Sequence, residues 1–211
     1  MDGSTLFSGN QVILAACAVV TVTSAVPARA QAQFRVGASV GFVRFQGGSE
    51  PVNPADTVFL EPYGPLDYRL RGSYAGADWQ VLLAASYAKP GLGAGIESFL
   101  FIDRSAIQVV TLEPTFGRRI LGPRGGPSQL WLEAGPSIGF WMITGNDTRT
   151  EIGGIVAASL RQRLAGRLET TIRGDVSLSP SFLRASDGVS TILRATNVSR
   201  YGFSIGLDYR L

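Results

Sequence analysis

The sequence predicts an all-β fold, an eight-stranded antiparallel up-and-down transmembrane β-barrel, and three observations support this prediction. Apolar and polar residues alternate in eight separate runs. Long connections alternate with short ones along the chain. The polar side of each run mixes small residues with charges of both signs. Alternation with a period of two is typical of strands whose two faces meet different environments.

Each alternating run predicts one strand. The predicted strands cover residues 33–45, 66–75, 78–88, 105–119, 129–143, 150–163, 167–179 and 199–211. The last run, RYGFSIGLDYRL, alternates through to its final residue, so we expect the terminal strand to close the barrel. The connections are short at 76–77, 120–128 and 164–166, long at 46–65, 89–104 and 180–198, and intermediate at 144–149. Short turns at one end and long loops at the other are typical of outer-membrane barrels.

The composition excludes several classes of function. The chain has no His, which excludes Ser/His/Asp catalysis and His-based zinc sites, so we expect no enzyme, cofactor or metal site. Charged residues make up only 17%, and Lys89 is the only Lys, so little conventional aqueous surface is expected. The charge of +3 is spread along the chain without a basic run, which argues against nucleic-acid binding.

The N-terminal segment predicts export. Residues 11–27 form an apolar stretch of secretory length, and Ala28-Arg29-Ala30 fits a cleavage site, so residues 1–30 are predicted to be a signal peptide. The barrel domain is then 31–211. An alternative interpretation treats Leu14-Ala15-Ala16-Cys17 as a lipoprotein box, although the apolar run continues past Cys17.

Strand parity predicts which charges face the barrel interior. We expect an ion-paired polar lumen formed by Arg35, Asp67, Arg69, Arg71, Glu113, Arg119, Glu133, Arg161, Arg163, Glu169, Arg173, Asp175, Asp208 and Arg210. The short turns should bring Glu133 close to Arg119, and Glu169 close to Arg161 and Arg163. Trp131 has the same parity and should plug the short-turn end. Small residues among charges of both signs suit the narrow interior of an eight-stranded barrel.

The opposite parity carries the aromatic residues, which fall into two predicted girdles. Phe42, Tyr68, Tyr87, Phe140 and Tyr201 lie towards the long loops; Phe34, Tyr74, Trp79, Phe116 and Tyr209 lie towards the short turns. Two aromatic rings flanking an aliphatic band are typical of a lipid-facing surface. Pro114 and Pro136 share this parity in mid-strand, roughly opposite each other, and predict a bulge or kink.

In this pattern, and in the terminal YGFSIGLDYRL, residues 33–211 resemble the small eight-stranded outer-membrane proteins, the class of OmpX and the OmpA transmembrane domain. The resemblance implies an outer-membrane location with both termini periplasmic. It also implies contact with outer-membrane lipid and lipopolysaccharide, and recognition of strand 200–211 by the barrel-insertion machinery. The last residue is Leu211 where the class usually has Phe.

Three functions fit these predictions. The first is a structural or surface-interaction role through the external loops, with a partner that the sequence does not specify. The second is a small passive channel through the polar lumen. The third is a soluble periplasmic carrier of lipocalin type, whose apolar face would point inward around an apolar ligand.

Overall fold

The computed structural model describes residues 33–52, 59–64, 66–96, 99–103, 107–123, 125–143, 148–183 and 193–211. Within these residues, eight strands form a closed barrel: β1 (Gln33–Pro51), β3 (Leu66–Ala75), β4 (Trp79–Ala88), β7 (Ile107–Leu121), β8 (Ser128–Ile143), β9 (Arg149–Ala165), β10 (Leu168–Ser179) and β11 (Leu193–Arg210). The predicted fold class is therefore confirmed. The predicted signal peptide, 1–30, lies outside the described residues.

The barrel has an up-and-down topology in which the last strand closes on the first. Its order is β1-β11-β10-β9-β8-β7-β4-β3, with antiparallel pairing between neighbours. The closing ladder runs from Arg35 opposite Arg210 to Pro51 opposite Leu193, and the Leu211 amide donates to the Phe34 carbonyl at 3.0 Å. The terminal strand thus closes the barrel, as its unbroken alternation predicts.

The two faces of the barrel have opposite chemistry. Along β10 the inward positions are Glu169, Thr171, Arg173, Asp175 and Ser177, all of them buried. The outward positions of the same strands carry Val, Leu, Ile and aromatic side chains that are largely exposed. A soluble carrier of lipocalin type requires the reverse arrangement, so the structure contradicts that interpretation. Among the described residues, no helix has the length and hydropathy needed to cross a membrane.

Three shorter strands lie in segments predicted as loops. β2 (Phe59–Tyr63), β5 (Gly91–Ile96) and β6 (Phe99–Asp103) form a separate sheet in the order β2-β5-β6. The segments 46–65 and 89–104 were predicted as long connections without strands assigned to them, so these three strands were missed. These strands have only five or six residues, and β5 is rich in Gly, so their β-propensity signal is weak.

At the long-loop end, β1 and β11 continue beyond the predicted limits. β1 ends at Pro51 and β11 begins at Leu193, so the two strands form a ribbon past the other barrel strands, with a register shift between Gly47 and Ser49. Gly47 has a φ of 87°, a backbone conformation that glycine adopts without steric cost. Within the described residues, the ribbon and the small sheet are the strands found in the long connections.

The two mid-strand prolines lie directly opposite each other without a bulge. The β7–β8 ladder pairs Leu112 with Ile138 and Phe116 with Ala134, so the register is the same on both sides of Pro114 and Pro136. The ladder is interrupted only between these two pairs, and the register shift lies at Arg119/Leu121 instead. The ladder therefore has no bulge at the prolines, and the other predicted outcome, a local kink, stays a prediction. Facing prolines confine both missing N–H groups to one point of the ladder.

Candidate functional site: the barrel interior

Seven charged side chains form a buried cluster at the centre of the barrel. They are Asp67, Arg69, Glu113, Glu133, Arg173, Asp175 and Arg200. They come from β3, β7, β8, β10 and β11, so the cluster joins strands on different sides of the interior. Burial of this many charges is tolerated only because each one has partners of opposite sign.

Arg200 and Arg69 connect three carboxylates of this central cluster. Arg200 lies 3.1 Å from Glu113, 3.1 Å from Asp175 and 3.2 Å from Asp67. Arg69 lies 3.0 Å from Asp175, 3.1 Å from Asp67 and 3.6 Å from Glu113. The planar guanidinium can serve several carboxylates at once, which a Lys ammonium does less well. Arg200 is absent from the predicted lumen set, although it has the same parity as Asp208 and Arg210.

Glu133 is the fourth carboxylate of the central cluster. It pairs with Arg173, and its Oε1 accepts hydrogen bonds from Gln80 Nε2 at 2.9 Å and from the Ser159 hydroxyl at 2.6 Å. Arg173 also lies 3.6 Å from both Glu113 and Asp175. Gln80 is fully buried and, as an uncharged residue, was not singled out in the sequence. Its amide group donates a hydrogen bond to a carboxylate that is buried away from solvent.

A second cluster fills the interior nearer the short turns. Arg71 makes a bidentate contact with Asp208, at 2.7 and 2.8 Å, and the Thr171 hydroxyl donates to the same carboxylate. Glu169 is shared by Arg35 at 3.0 Å and Arg210 at 3.1 Å. Bidentate Arg–carboxylate pairs combine strength with a fixed geometry.

Glycine residues leave the space in which two of these carboxylates sit. A Cβ atom on Gly37 would collide with Asp208 Oδ1, directly across the β1–β11 ladder. A Cβ atom on Gly202 would lie 2.6 Å from Asp175 Oδ2, across the β10–β11 ladder. The alternation of small and charged residues that the sequence shows is therefore a packing requirement of the narrow lumen.

The short turns bring Glu169 within one register step of Arg161 and Arg163, as predicted, but the ion pairs are made with other partners. Arg119 pairs with Asp78 at the strand end rather than with Glu133. Glu169 lies opposite Arg163 in the ladder, yet its ion pairs are with Arg35 and Arg210. The side chain of Arg163 instead donates to the Gly125 carbonyl at 2.9 Å. Long side chains reach across the lumen, so ladder neighbours need not be ion-pair partners.

Trp131 is buried inside the barrel near the short turns, with the Arg161 guanidinium 5.3 Å from the centre of its ring. A cation over an indole ring is attracted by its negative face. Arg161 is itself buried, and among the described residues no carboxylate forms an ion pair with it. It thus differs from the other buried arginines of the lumen.

An apolar plug closes the opposite, long-loop end of the interior. Its buried members are Val43, Phe45, Ala88, Ile107, Val109, Trp141, Phe182 and Val198. Phe182 follows β10 and stacks on Trp141, with ring centres 4.5 Å apart, and Arg149 Nη1 donates to the Phe182 carbonyl at 2.6 Å. A cavity of about 20 Å³ separates this plug from Arg200, which is room for about one water molecule.

No family model matches the chain, and no curated protein matches it in sequence. Several solved structures are similar to it, among them the following two. Neisserial surface protein A aligns with a TM-score of 0.57 and 11% identity, covering 84% of this chain and 97% of that chain. OprG, an outer membrane protein from Pseudomonas aeruginosa, aligns with a TM-score of 0.56 and 11% identity, covering 85% and 95%. This chain has the fold of the small eight-stranded outer-membrane β-barrels.

In this outer-membrane-type barrel, the predicted girdle residues all lie on the outer face. Phe42, Tyr68, Tyr87, Phe140 and Tyr201 lie towards the long-loop end, and Phe34, Tyr74, Trp79, Phe116 and Tyr209 lie towards the short turns. Phe34 and Tyr74 are in contact, with ring centres 4.7 Å apart. The segments 34–42 and 201–209 each span nine residues, the length of a tilted membrane-crossing strand.

The chemistry available in the interior of this barrel is that of a closed ionic network. The carboxylates of both clusters are in ion pairs with guanidinium groups. Within the described part of the chain, no group of three or more Cys, Asp or Glu residues could hold a metal ion. The arrangement can join strands and resist solvent entry.

Proposed function

We propose that the protein is an integral outer-membrane barrel whose interior is structural and whose interactions are made by the elements at its long-loop end. The observation that carries this proposal is the inverted distribution of side chains. Charged residues are buried inside and aliphatic residues are exposed outside, for example Val40 at 43% and Val156 at 60%. Only an apolar solvent around the barrel makes such an arrangement stable.

The orientation proposed for the barrel follows from its two unequal ends. The short turns and the end of the closing β1–β11 ladder at which Arg35 lies opposite Arg210 would lie in the periplasm. The small sheet β2-β5-β6 and the β1–β11 ribbon would lie outside the cell, in contact with lipopolysaccharide and with a surface partner. The terminal strand, residues 200–211, would be the segment that the insertion machinery recognises after removal of residues 1–30.

A closed interior is favoured over the channel alternative. The apolar plug with Phe182 closes one end, and the central ionic cluster fills the barrel below it. The cavity between them has room for about one water molecule, at about 20 Å³. We therefore expect purified protein to give no discrete conductance steps in planar bilayers. Regular conductance steps of the unmodified protein would instead favour the channel.

The membrane location is tested by fractionation together with the gel mobility of heated and unheated samples. We expect the protein to remain in the outer-membrane fraction after a carbonate wash and to change its mobility on boiling. A matched variant is Val156→Asp, which places a charge on the outer face between the girdles and should lower the folded fraction. Recovery of the protein from the periplasm without detergent would contradict the proposal.

The proposed orientation is tested with Lys89, the only Lys of the chain. This exposed residue follows β4 directly and so marks the long-loop end. An amine-reactive reagent that does not cross membranes should label Lys89 on intact cells, with the site identified by mass spectrometry. Lys89→Arg provides the control without the reactive amine. Labelling of Lys89 only after the outer membrane is permeabilised would reverse the orientation.

A further inference from the structure

The cluster nearer the short turns has more positive than negative charge. Arg35, Arg71 and Arg161 are buried there, and Arg210 joins them at the edge. The carboxylates of this cluster are Asp208 and Glu169. Four guanidinium groups thus share two carboxylates. An excess charge in a water-poor interior is strongly unfavourable unless something neutralises it.

Both carboxylates are already occupied. Asp208 accepts two N–H groups from Arg71 and the hydroxyl of Thr171. Glu169 is shared by Arg35 and Arg210. Arg161 lies opposite Thr171 in the ladder, and no carboxylate of the described chain forms an ion pair with it. Its charge therefore lacks a protein counter-ion.

Three buried nitrogen atoms without hydrogen-bond partners mark the position at which a negatively charged group would bind. The Nε and Nη1 atoms of Arg161 and the Nη1 atom of Arg35 are buried and have no hydrogen-bond partner. Arg161 is only 4% exposed. Arg161 lies opposite Thr171 of β10 in the ladder, and Arg35 lies 3.0 Å from Glu169, the preceding inward position of the same strand. The Trp131 ring covers the Arg161 guanidinium and fixes its place. Buried N–H donors of this kind normally have an acceptor.

We propose that Arg161 and Arg35 hold a small inorganic anion of the halide class inside the barrel, with chloride as the natural ligand. An anion accepts hydrogen bonds from the three unpartnered nitrogen atoms and cancels one of the two excess positive charges at the same time, whereas a water molecule would satisfy donors without cancelling charge. The anion would enter from the short-turn end. Arg119, Arg163 and Arg210 lie there, each donating to a turn carbonyl, and give that opening a positive potential.

Chloride dependence of unfolding tests the proposal directly. The purified barrel is unfolded with urea at constant ionic strength while sodium chloride replaces sodium gluconate. One site that exists only in the folded state makes the folded-to-unfolded ratio rise about tenfold for each tenfold increase in chloride above the dissociation constant. We expect this dependence in the unmodified protein and in Arg44→Met, a control arginine on the outer face. We expect none in Arg161→Met.

Crystals grown with sodium bromide provide a second measurement that does not depend on how Arg161→Met folds. Anomalous scattering should show one bromide beside the Arg161 and Arg35 side chains in the unmodified protein. The proposal is overturned if the unmodified protein has the same stability in chloride and gluconate, or if bromide is absent from this position.

Discussion

Removing Arg173 should destabilise the barrel by stranding the Glu133 carboxylate. Arg173 is 1% exposed. The central cluster has three arginines and four carboxylates, and the loss of Arg173 leaves two arginines with the same four carboxylates. Glu133 then keeps only the hydrogen bonds from Gln80 and Ser159. Breaking a buried ion pair on one side costs about 3–5 kcal/mol. With a urea slope of about 2 kcal/mol per molar, the unfolding midpoint of Arg173→Met falls by about 1.5–2.5 M.

The matched double variant separates lost charge balance from lost packing. In Arg173→Met/Glu133→Gln the cluster has two arginines and three carboxylates, the same imbalance of one as the unmodified protein. The amide oxygen that replaces the carboxylate at position 133 can still accept the bonds from Gln80 and Ser159. We expect at least half of the lost free energy of unfolding to return, measured by urea titration in lipid vesicles. A midpoint for Arg173→Met within about 0.5 M of the unmodified protein, or no recovery in the double variant, would refute the reasoning.

Three further predictions concern the plug, the outer face and the packing of small residues. Phe182→Ala should weaken the barrel by about 3–5 kcal/mol and make Trp141 more accessible to acrylamide quenching; unchanged quenching would contradict the stacked plug. Ile205→Arg, midway between Tyr201 and Tyr209, should cost about 2–4 kcal/mol in bilayers, and Leu211→Arg, beyond the girdle, about 0–1 kcal/mol; equal costs would argue against a membrane at this level. Gly37→Val should displace Asp208 from Arg71 and reduce folding, as gel mobility would report. Gly72→Val should stay within about 0.5 kcal/mol of the unmodified protein, because no atom lies within 4 Å of a Cβ built at Gly72.

Parity along the strands was sufficient to predict the barrel and the side of the wall on which each residue lies. It could not predict which charges meet, because an Arg side chain reaches across a narrow interior. Arg69 and Asp175 are 106 residues apart in sequence, and Arg35 and Glu169 are 134 apart. The short turn was expected to bring Glu133 close to Arg119, but the ion pair of Glu133 is with Arg173 of β10.

The long-loop end was the least predictable part of the fold. Phe182 lies in a connection without periodicity, and nothing near it in sequence indicates that it stacks on Trp141. Strands β2, β5 and β6 are too short for alternation to distinguish them from loops. Arg200 is different, since its parity with Asp208 was available in the sequence and places it in the lumen.

The pairing of charges across non-adjacent strands has a consequence for how the protein folds. Arg69 of β3 meets Asp175 of β10, and Arg200 of β11 meets Glu113 of β7, so these pairs exist only after the cylinder is complete. An incomplete sheet in the bilayer would expose unpaired charged side chains to the hydrocarbon of the lipid. Insertion and closure should therefore occur in one kinetic step, with a barrier that is high because contacts distant in sequence form last. Spontaneous assembly should be slow, and a catalyst that holds the open edges of the sheet in a water-filled site would accelerate it.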